Sequence, residues 1–395
     1  MKRCVNIDWL EVFVVEPPPG LPPEYFKRAG YQVSVRAYGT PQYKQMFTII
    51  GSDGRDFLEI RRDPYSKKSE GGIFPDGSCH IRLSNRSCYA PNIIDTLRKF
   101  LIAFRYQYRG LSRVDICSDF VVFDDGKDPA LFVRRYIQEY YHKIGLSRVH
   151  VYGTDYDTGK LVVIDEKGKQ VKKPRIEHNG HVIAAHGKDT PTKMVWNSVK
   201  WGCPSSRVNT KLYNKSLEMR EVAVKFHIQD QWKAAGYDGH GDVWRLEFSV
   251  ASDAKGWLSQ ETGEVFKLGL EEIDTPDKLN RIFNILAAKY FRFTRARNNR
   301  NGEPQRKDRC QAIQPIDTNK TEIYKHVELT KCAEPGRLDK MLAKRLREIV
   351  HDQQHAILRE REAARTLLGY FHRYKRIKSE EISDLFSDLF NAMCS

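Results

Sequence analysis

Three separated stretches of the chain alternate between apolar and charged side chains, and this two-residue period restricts the fold more than any other feature. The stretches are Leu111–Phe120 (LSRVDICSDF), Val208–Ser216 (VNTKLYNKS) and Asp242–Val250 (DVWRLEFSV). A period of two places successive side chains on opposite faces of a β-strand. Each stretch is therefore predicted to be a strand with one face in the core and one charged face, as in an antiparallel sheet.

The charged faces of these strands carry residues that point to a functional site. They are Arg113, Asp115, Cys117 and Asp119 on the first strand, Lys211, Tyr213 and Lys215 on the second, and Arg245, Glu247 and Ser249 on the third. Acidic residues are disfavoured in strands, so their repeated pairing with arginine indicates a site, with cross-strand salt bridges as the alternative. A tyrosine between two lysines lies in a positive field that favours the phenolate and attracts phosphate, unless the strand is simply an exposed edge.

The rest of the chain predicts an α+β fold with a central, largely antiparallel sheet flanked by helices, and a helical C-terminal extension. Short strand-like stretches fill residues 1–90, and residues 147–197 read as a hairpin insertion. Helical spacing marks Ile93–Tyr108, Asp128–His142, Glu218–Gly236 and Thr275–Arg297. These patterns predict one domain over residues 1–310, which holds the charged strands, and a helical region over 311–395.

The charge balance favours a polyanionic partner. The chain has 66 Lys and Arg against 51 Asp and Glu, a formal net charge of +15, which favours nucleic acid first and an anionic membrane second. No apolar run approaches the roughly 20 residues that span a bilayer. A basic cluster interleaved with Phe291 and Phe293 is predicted to contact the DNA backbone. Its members are Arg292, Arg295, Arg297, Arg300, Lys307 and Arg309.

Other site classes find little support in the sequence. The eight cysteines include no C-x-x-C pair, which argues against a structural zinc site and a disulfide framework and suggests a reduced, cytoplasmic protein. His178, His181 and His186 lack accompanying cysteines or carboxylates, so we interpret them as loop residues rather than metal ligands. No G-x-x-x-x-G-K-[ST] loop is present, so ATP-driven activity is not indicated.

Four motifs, in their order along the chain, resemble the replication initiation factor family. They are IDWL near the start, RVDICSD, the turn WGCPSSR leading into KLYNKSLE, and WRLEFSV. That family includes rolling-circle plasmid initiators of the staphylococcal type and related nicking relaxases of conjugative and mobilizable elements. Its pattern is R-x-D with a second Asp, G-S-x-x-S, Y-[DN]-K with a following Glu, and [WR]-x-E. The resemblance spans residues 5–300, and Cys203 stands where the family often has serine.

The resemblance implies a metal-dependent endonuclease and strand transferase that starts rolling-circle replication or transfer of a plasmid or other mobile element. Tyr213 would attack a phosphodiester, keep a 5′-phosphotyrosyl link and release a free 3′-OH, so rejoining would need no ATP. Mg²⁺ or Mn²⁺ would bind Asp115 and Glu247, with Asp119 as a third ligand or an orienting group. The phosphate charge would be held by Lys211, Lys215, Arg113 and Arg245.

Several assignments stay open at this level. Glu218 follows the tyrosine strand as a base or as a partner for Lys215, and Tyr140 and Tyr141 are rival nucleophiles on a predicted helix. The implied substrate is single-stranded or hairpin-extruded DNA at an origin, with a host helicase and a homodimer as further partners and no membrane. The alternatives are an origin-binding protein that does not cut and a metal-dependent nuclease that uses water.

Overall fold

A computed structural model gives the fold of the chain. The structure describes residues 1–36, 39–65, 68–69, 72–138, 140–145, 149–155, 161–164, 181–182, 194–202, 206–221, 224–251, 257–258, 265–266, 268–295 and 310–320. The chain divides into two units, Met1–Thr330 and Lys331–Ser395, and the described residues all lie in the first. The predicted helical extension therefore lies outside the described residues.

A long, twisted, largely antiparallel sheet organises the described residues. In chain order the strands are β1 (Cys4–Val15), β2 (Gln32–Val35), β3 (Tyr43–Ile50), β4 (Asp56–Pro64), β5 (Lys68–Ser69), β6 (Gly72–Ile73), β7 (Ser78–Leu83), β8 (Gln107–Phe120), β9 (Tyr141–Lys143), β10 (Val149–Asp155), β11 (Leu161–Ile164), β12 (His181–Val182), β13 (Met194–Trp201), β14 (Val208–Asn214), β15 (Trp244–Ala251), β16 (Trp257–Leu258), β17 (Val265–Phe266), β18 (Phe293–Arg295) and β19 (Ala312–Ile313). The described part of the main sheet has the order β11-β12-β10-β13-β14-β15-β8-β1-β7-β4-β3-β2. Within it, the described β11–β12 pair is parallel.

Helices lie on both faces of this sheet, so the fold is α+β as predicted. They are α1 (Pro23–Arg28), α2 (Asn85–Cys88), α3 (Ile93–Ala103), α4 (Pro129–Ile137), α5 (Lys215–Glu221), α6 (Phe226–Ala234) and α7 (Pro276–Tyr290). Helix α7 begins where the Thr275 hydroxyl accepts a hydrogen bond from the Lys278 amide and Pro276 occupies the first turn, both typical helix-start features. Its Phe283 packs on Phe248 of β15 with ring centres 5.5 Å apart, which fixes the helix on the apolar face.

The order of strands confirms the central sequence prediction. The tyrosine strand β14 pairs with β15, β15 pairs with β8, and β8 pairs with the N-terminal strand β1, all antiparallel. Leu212, Leu246 and Ile116 point into the core, while the polar residues of the same strands share the other face. The alternating pattern therefore identified three neighbouring strands of one sheet.

Several predicted element boundaries are wrong for local reasons. Helix α3 ends at Ala103 instead of continuing to 108, because Arg105 adopts a left-handed backbone with φ of 55° and strand β8 starts at Gln107. Residues 218–236 form two helices, α5 and α6, rather than one. The helix predicted over 275–297 ends at Tyr290, where the chain turns into the short strand β18.

The described strands between β10 and β13 belong to the main sheet. Strands β10 and β13 pair antiparallel, with Val149 opposite Trp201, as the two arms of a hairpin would. His181 begins the short strand β12, whereas His178 and His186 lie outside the described residues. Among the described residues, no helix is long and apolar enough to cross a membrane.

The predicted boundary between residues 310 and 311 falls too early. Strand β19 (Ala312–Ile313) pairs with β18, and Ile316 is fully buried. The Lys320 ammonium donates to Asp124 at 2.9 Å. Residues 310–320 therefore belong to the sheet-containing unit.

Candidate active site

The predicted residues of β14, β15 and β8 meet on the polar face of these three adjacent strands. Tyr213 of β14 lies opposite Arg245 of β15, which lies opposite Asp119 of β8. One rung further, Lys211 lies opposite Glu247. Because both rungs project from the same face, the side chains can contact one another directly.

Tyr213 is buried, and its hydroxyl donates a hydrogen bond to Glu247 Oε2 at 3.0 Å. The Lys211 ammonium lies 3.8 Å from the centre of the tyrosine ring, and that of Lys215 lies 5.5 Å from it. The two lysines do flank the ring, as predicted. Burial, followed by the Glu247 carboxylate, nevertheless raises the pKa of Tyr213 well above its ordinary value. The expectation that the positive field favours the phenolate is therefore wrong for the free protein.

Glu247 lies in a group of three acidic side chains. Burial is the main cause that raises its pKa, and repulsion from Asp8 and Asp115 adds to it, while Lys211 opposes the shift. A carboxylate with a raised pKa accepts a proton more readily than an ordinary glutamate. Glu247 is thus placed to receive the proton of the Tyr213 hydroxyl.

Arg245 has a structural role that differs from the predicted one. It is fully buried, with Nε and Nη2 donating to the two oxygens of Asp119 at 2.6 and 2.7 Å, and Nη1 donating to Asp8 at 2.6 Å. Its guanidinium is therefore engaged on both sides by carboxylates. Holding a substrate phosphate would require breaking one of these buried ion pairs, so the predicted phosphate role of Arg245 is not supported.

Asp119 likewise makes its hydrogen bonds inside the protein. Besides Arg245, the indole N–H of Trp232 on α6 donates to its Oδ2 at 2.7 Å, and Asp119 is 1% exposed. Both carboxylate oxygens are thus filled inside the protein. Asp119 orients Arg245, and the alternative role as a metal ligand does not fit this arrangement.

Asp115 is also paired on both oxygens. Its Oδ1 accepts from Arg113 Nε at 2.8 Å and from the Ser249 hydroxyl at 2.6 Å, and its Oδ2 accepts from Arg113 Nη2 at 2.6 Å. The sequence analysis left cross-strand salt bridges open as the alternative to a site, and the structure shows an ion pair within one strand instead. Across the described residues, no group of three or more His, Cys, Asp or Glu side chains is arranged to hold an ion.

Asp8 is the site residue that sequence reasoning missed. Its Oδ1 accepts hydrogen bonds from Arg245, from the Tyr89 hydroxyl at 2.6 Å and from Asn85 Nδ2 at 3.1 Å. Burial raises the pKa of Asp8, but the positive charges of Arg245 and Lys215 outweigh burial and hold the pKa well below its ordinary value. Asp8 is therefore an ionised carboxylate beside Glu247.

A bulge in β1 brings Asp8 into the site. The register with β8 shifts between Ile7 and Trp9, so Asp8 is the extra residue that the partner strand does not match. In the sequence, the only trace of this bulge is that the apolar positions of β1 that join the core are spaced by two except across Asp8. Those positions are Val5, Ile7, Leu10, Val12 and Val14.

Helix α5 begins directly after the tyrosine strand. The Asn214 side chain accepts a hydrogen bond from the Leu217 amide at 2.8 Å, which ends β14 and starts the helix. Lys215 therefore lies in the first turn of the helix, not on the strand as predicted, and is 1% exposed. Its ammonium donates to Glu218, which is the contact expected of the second of the two roles left open for that glutamate.

A further lysine contributes to the field at this end of the site. Lys225 precedes α6 and adds positive charge that lowers the pKa of Glu218 together with Lys215, against the opposing effect of burial. Burial in turn lowers the pKa of Lys225. The positive charges of Lys215 and Lys225 therefore lie close to the carboxylates of Asp8 and Glu218.

The turn before β14 requires its glycine. Gly202 has φ of 109°, and a Cβ at this position would collide with the Asn209 side-chain oxygen. The Asn209 amide in turn donates to the Ser206 carbonyl at 3.1 Å. The glycine of the WGCPSSR motif therefore has a structural reason, while Cys203 lies outside the described residues.

The basic cluster is only partly within the described residues. Arg292 and Arg295 are exposed, whereas Phe291 and Phe293 are fully buried in the core. These rings pack against core aromatics and are not available to stack on bases. Arg297, Arg300, Lys307 and Arg309 lie outside the described residues.

The rival tyrosines are not on a helix. Helix α4 ends at Ile137, Tyr140 is 58% exposed in the following turn, and Tyr141 is buried at the start of β9. The Tyr141 hydroxyl accepts from Arg135 at 3.2 Å. Neither hydroxyl has a hydrogen bond to a carboxylate like that of Tyr213 among the described residues.

Comparison with known proteins finds a distant likeness in fold. No protein-family model matches the chain, and no curated protein matches its sequence. Among solved structures, a rolling circle replication initiator protein from Geobacillus stearothermophilus matches with 13% identity and a TM-score of 0.43. The match covers 82% of this chain and 100% of that chain.

Proposed function

We propose that this protein nicks and rejoins single-stranded or hairpin-extruded DNA at an origin, with Tyr213 as the nucleophile. The single observation that carries this proposal is the hydrogen bond from the Tyr213 hydroxyl to Glu247 beside two lysine ammonium groups. A nucleophile that is bonded to an acceptor and flanked by cations has the components needed for phosphoryl transfer. Such a reaction would initiate rolling-circle replication or transfer of a mobile element.

The reaction conserves the phosphodiester energy. Tyr213 Oη forms a bond to phosphorus while the bond between phosphorus and the 3′ oxygen breaks, which leaves a 5′-phosphotyrosyl link and a 3′-OH. Glu247 accepts the phenolic proton, and the leaving 3′ oxygen takes up a proton from water. Rejoining is the reverse, in which a 3′-OH attacks the phosphotyrosyl bond and Glu247 returns the proton to Tyr213.

Lysines rather than arginines hold the phosphate in this proposal. Lys211, half-buried over the tyrosine ring, would contact the phosphate directly. Lys215, which is buried and bonded to Glu218, and Lys225 would add positive charge around the site. Arg245 is excluded from this role by its two carboxylate partners. Arg113, with 45% of its side chain exposed, keeps an accessible edge beside the site.

The donor set fits a divalent ion in part. Both oxygens of Asp119 and of Asp115 already accept hydrogen bonds within the protein, so Glu247 is the one predicted ligand that remains. Asp8 is a second candidate ligand, because its three hydrogen bonds all go to one of its two oxygens. Two neighbouring carboxylates that repel each other are suited to Mg²⁺ or Mn²⁺. When bound, the ion would neutralise charge on the phosphate and the leaving oxygen.

A nuclease that uses water is the second candidate. The burial and raised pKa of Tyr213 favour it, because a phenol that keeps its proton is a weaker nucleophile and can serve to pack and to orient Glu247. This candidate gives cleavage without a covalent intermediate, whereas the main proposal requires one.

The deciding experiment looks for a covalent adduct. The purified protein is incubated with Mg²⁺ and a supercoiled plasmid that carries the element's own origin, and nicked DNA is then tested for attached protein. Denaturing gels and mass spectrometry of the tryptic peptide locate the modified residue. Adduct on the peptide containing Tyr213 supports the proposal, and cleavage without adduct supports the water-using nuclease.

A further inference from the structure

The polar face of the sheet continues beyond the candidate site as a row of alternating charges. Arg113 of β8 lies opposite Glu11 of β1, Glu11 lies opposite Arg82 of β7, and Arg82 lies opposite Glu59 of β4. The arginines Arg36 and Arg61 also reach Glu59. We name Arg36, Arg61, Arg82 and Arg113 the arginine row.

The two signs of charge in this row occupy different depths. The side chains of Arg113 and Arg82 are 45% and 29% exposed, and that of Arg36 is 39% exposed. Those of Glu59 and Glu11 are only 8% and 14% exposed. The carboxylates therefore lie beneath the guanidinium groups, and the surface that meets solvent is positive although the charges nearly balance.

The guanidinium groups are held in fixed positions. Arg82 donates to Glu59 at 3.0 Å, and Arg113 is bonded to both oxygens of Asp115. The same two guanidinium groups lie 4.6 and 4.8 Å from the ring centre of Trp9. A planar cation already fixed by a carboxylate and an indole loses little entropy when it binds a further planar or anionic group.

We propose that the arginine row binds the single-stranded DNA that flanks the phosphodiester at Tyr213. Bases stack on guanidinium planes and aromatic rings, and the exposed edges of the same groups contact phosphates, which is how proteins hold single strands without reading their sequence. From β14 to β7 there are four strand spacings, about 19 Å, so the row lies within reach of the same strand. This inference rests on the proposed function.

The test compares binding of oligothymidylates of increasing length by fluorescence anisotropy. The double variant Arg36→Gln/Arg82→Gln removes two exposed cations, and Glu59 keeps Arg61 as a partner at 2.7 Å, so the fold is expected to persist. We expect about tenfold weaker binding of long oligonucleotides and an unchanged affinity for the shortest ones. The salt slope should fall by about 0.7 for each phosphate that the variant no longer binds.

Two further variants sharpen the interpretation. Arg98→Gln on α3 is the matched control, because it removes an equally accessible arginine (31% exposed) that also has a carboxylate partner but lies with the helix on the apolar face. It should bind every length as the unchanged protein does. Arg82→Lys keeps the charge but removes the planar group, so it should retain the salt slope and still weaken binding if bases stack there.

The outcomes separate this inference from the proposed function. Unchanged binding of long oligonucleotides by the double variant would overturn the proposal that the arginine row binds single strands. A loss of affinity for duplex DNA as large as the loss for single strands would also overturn it. Photo-crosslinking of thiothymidine-containing oligonucleotides provides a second measurement, which should label the peptide containing Trp9 or Arg82. Adduct formation at Tyr213 is measured independently, so a protein that binds along the row without forming an adduct contradicts only the proposed function.

Discussion

The hydroxyl of Tyr213 is hydrogen bonded to Glu247 across a diagonal of two neighbouring strands, not to the residue directly opposite. In the β14–β15 register Tyr213 faces Arg245, and Glu247 faces Lys211. Arg245 is bonded to Asp119 and Asp8. Glu247, on the diagonal, is therefore the group that accepts the hydrogen bond of the phenol. The buried ion pairs thus determine which group the candidate nucleophile contacts.

Removing that hydroxyl is the most direct test of the proposed chemistry. Tyr213→Phe should abolish the covalent adduct and nicking, because the attacking oxygen is lost. DNA affinity should stay nearly unchanged, since the ring and both lysines remain. Gel analysis of adduct and anisotropy of binding measure the two effects separately.

Tyr140→Phe is the matched control for this change. Tyr140 is exposed and follows α4, so its loss should alter neither adduct formation nor stability. Adduct formation by Tyr213→Phe would contradict the assignment of the nucleophile. Tyr140 and Tyr141 would then be tested in its place.

Asp8→Asn should destabilise the protein in a pH-dependent way. Because the pKa of Asp8 is lowered in the fold, its ionised form contributes stability that is present above the ordinary pKa of about 3.9 and is lost as the pH falls through the folded value. We expect a loss of about 2 kcal/mol at neutral pH, from hydrogen bonds to a charged group. Urea unfolding should show the gap to the unchanged protein narrowing below about pH 4. A gap that is the same at neutral and acid pH would contradict this account.

Asp119→Asn separates a structural role from metal binding. It removes one charge from a buried pair with Arg245, which typically costs about 3–5 kcal/mol when the remaining charge is left uncompensated. Asp8 still neutralises part of Arg245, so we expect the lower end of this range. The loss should be the same with and without Mg²⁺, as measured by chemical unfolding. A loss that appears only when Mg²⁺ is present would restore Asp119 as a ligand.

Sequence alternation predicted the sheet face because its signal is local. The charged residues of β8, β14 and β15 could be assigned to one face from their spacing alone. Which charge pairs with which could not be predicted, because pairing depends on the order of strands and on their register. Asp115 and Asp119 looked alike in sequence, yet one pairs with the adjacent Arg113 and the other with an arginine 126 residues away.

The errors at element ends have related causes. Lys215 continues the period of two but belongs to a helix, because the Asn214 cap and the buried contact with Glu218 override the alternation. Phe291 and Phe293 alternate with basic residues in sequence, and tertiary packing places both rings in the core. Asp8 was missed because it is the extra residue of a β-bulge, and strict alternation does not predict which face of the sheet such a residue occupies.

The described part of the basic cluster should contribute to DNA binding through phosphates alone. Arg292 and Arg295 are exposed, while the aromatic residues between them are buried. Arg292→Gln/Arg295→Gln should reduce the salt slope by about 0.7 for each phosphate no longer bound on single strands, with no change in sequence preference. Arg220→Gln, which removes a 61% exposed arginine from the last turn of α5, is the control for loss of an exposed arginine elsewhere on the surface. An unchanged slope in the double variant would place the DNA path elsewhere.

Metal binding should depend on Glu247 and should weaken in acid. Since burial and the neighbouring carboxylates raise the pKa of Glu247, protons compete with a cation up to a higher pH than at an ordinary glutamate. At about 100 times its dissociation constant, Mg²⁺ or Mn²⁺ should stabilise the protein by about 2.7 kcal/mol, and the shift in melting temperature should shrink as the pH is lowered.

Glu247→Gln should remove this metal-induced shift together with nicking. Asp242→Asn changes a partly exposed carboxylate paired with Arg220 and should leave the shift intact. Nicking that survives excess EDTA, or a metal-induced shift that persists in Glu247→Gln, would contradict a metal on this carboxylate.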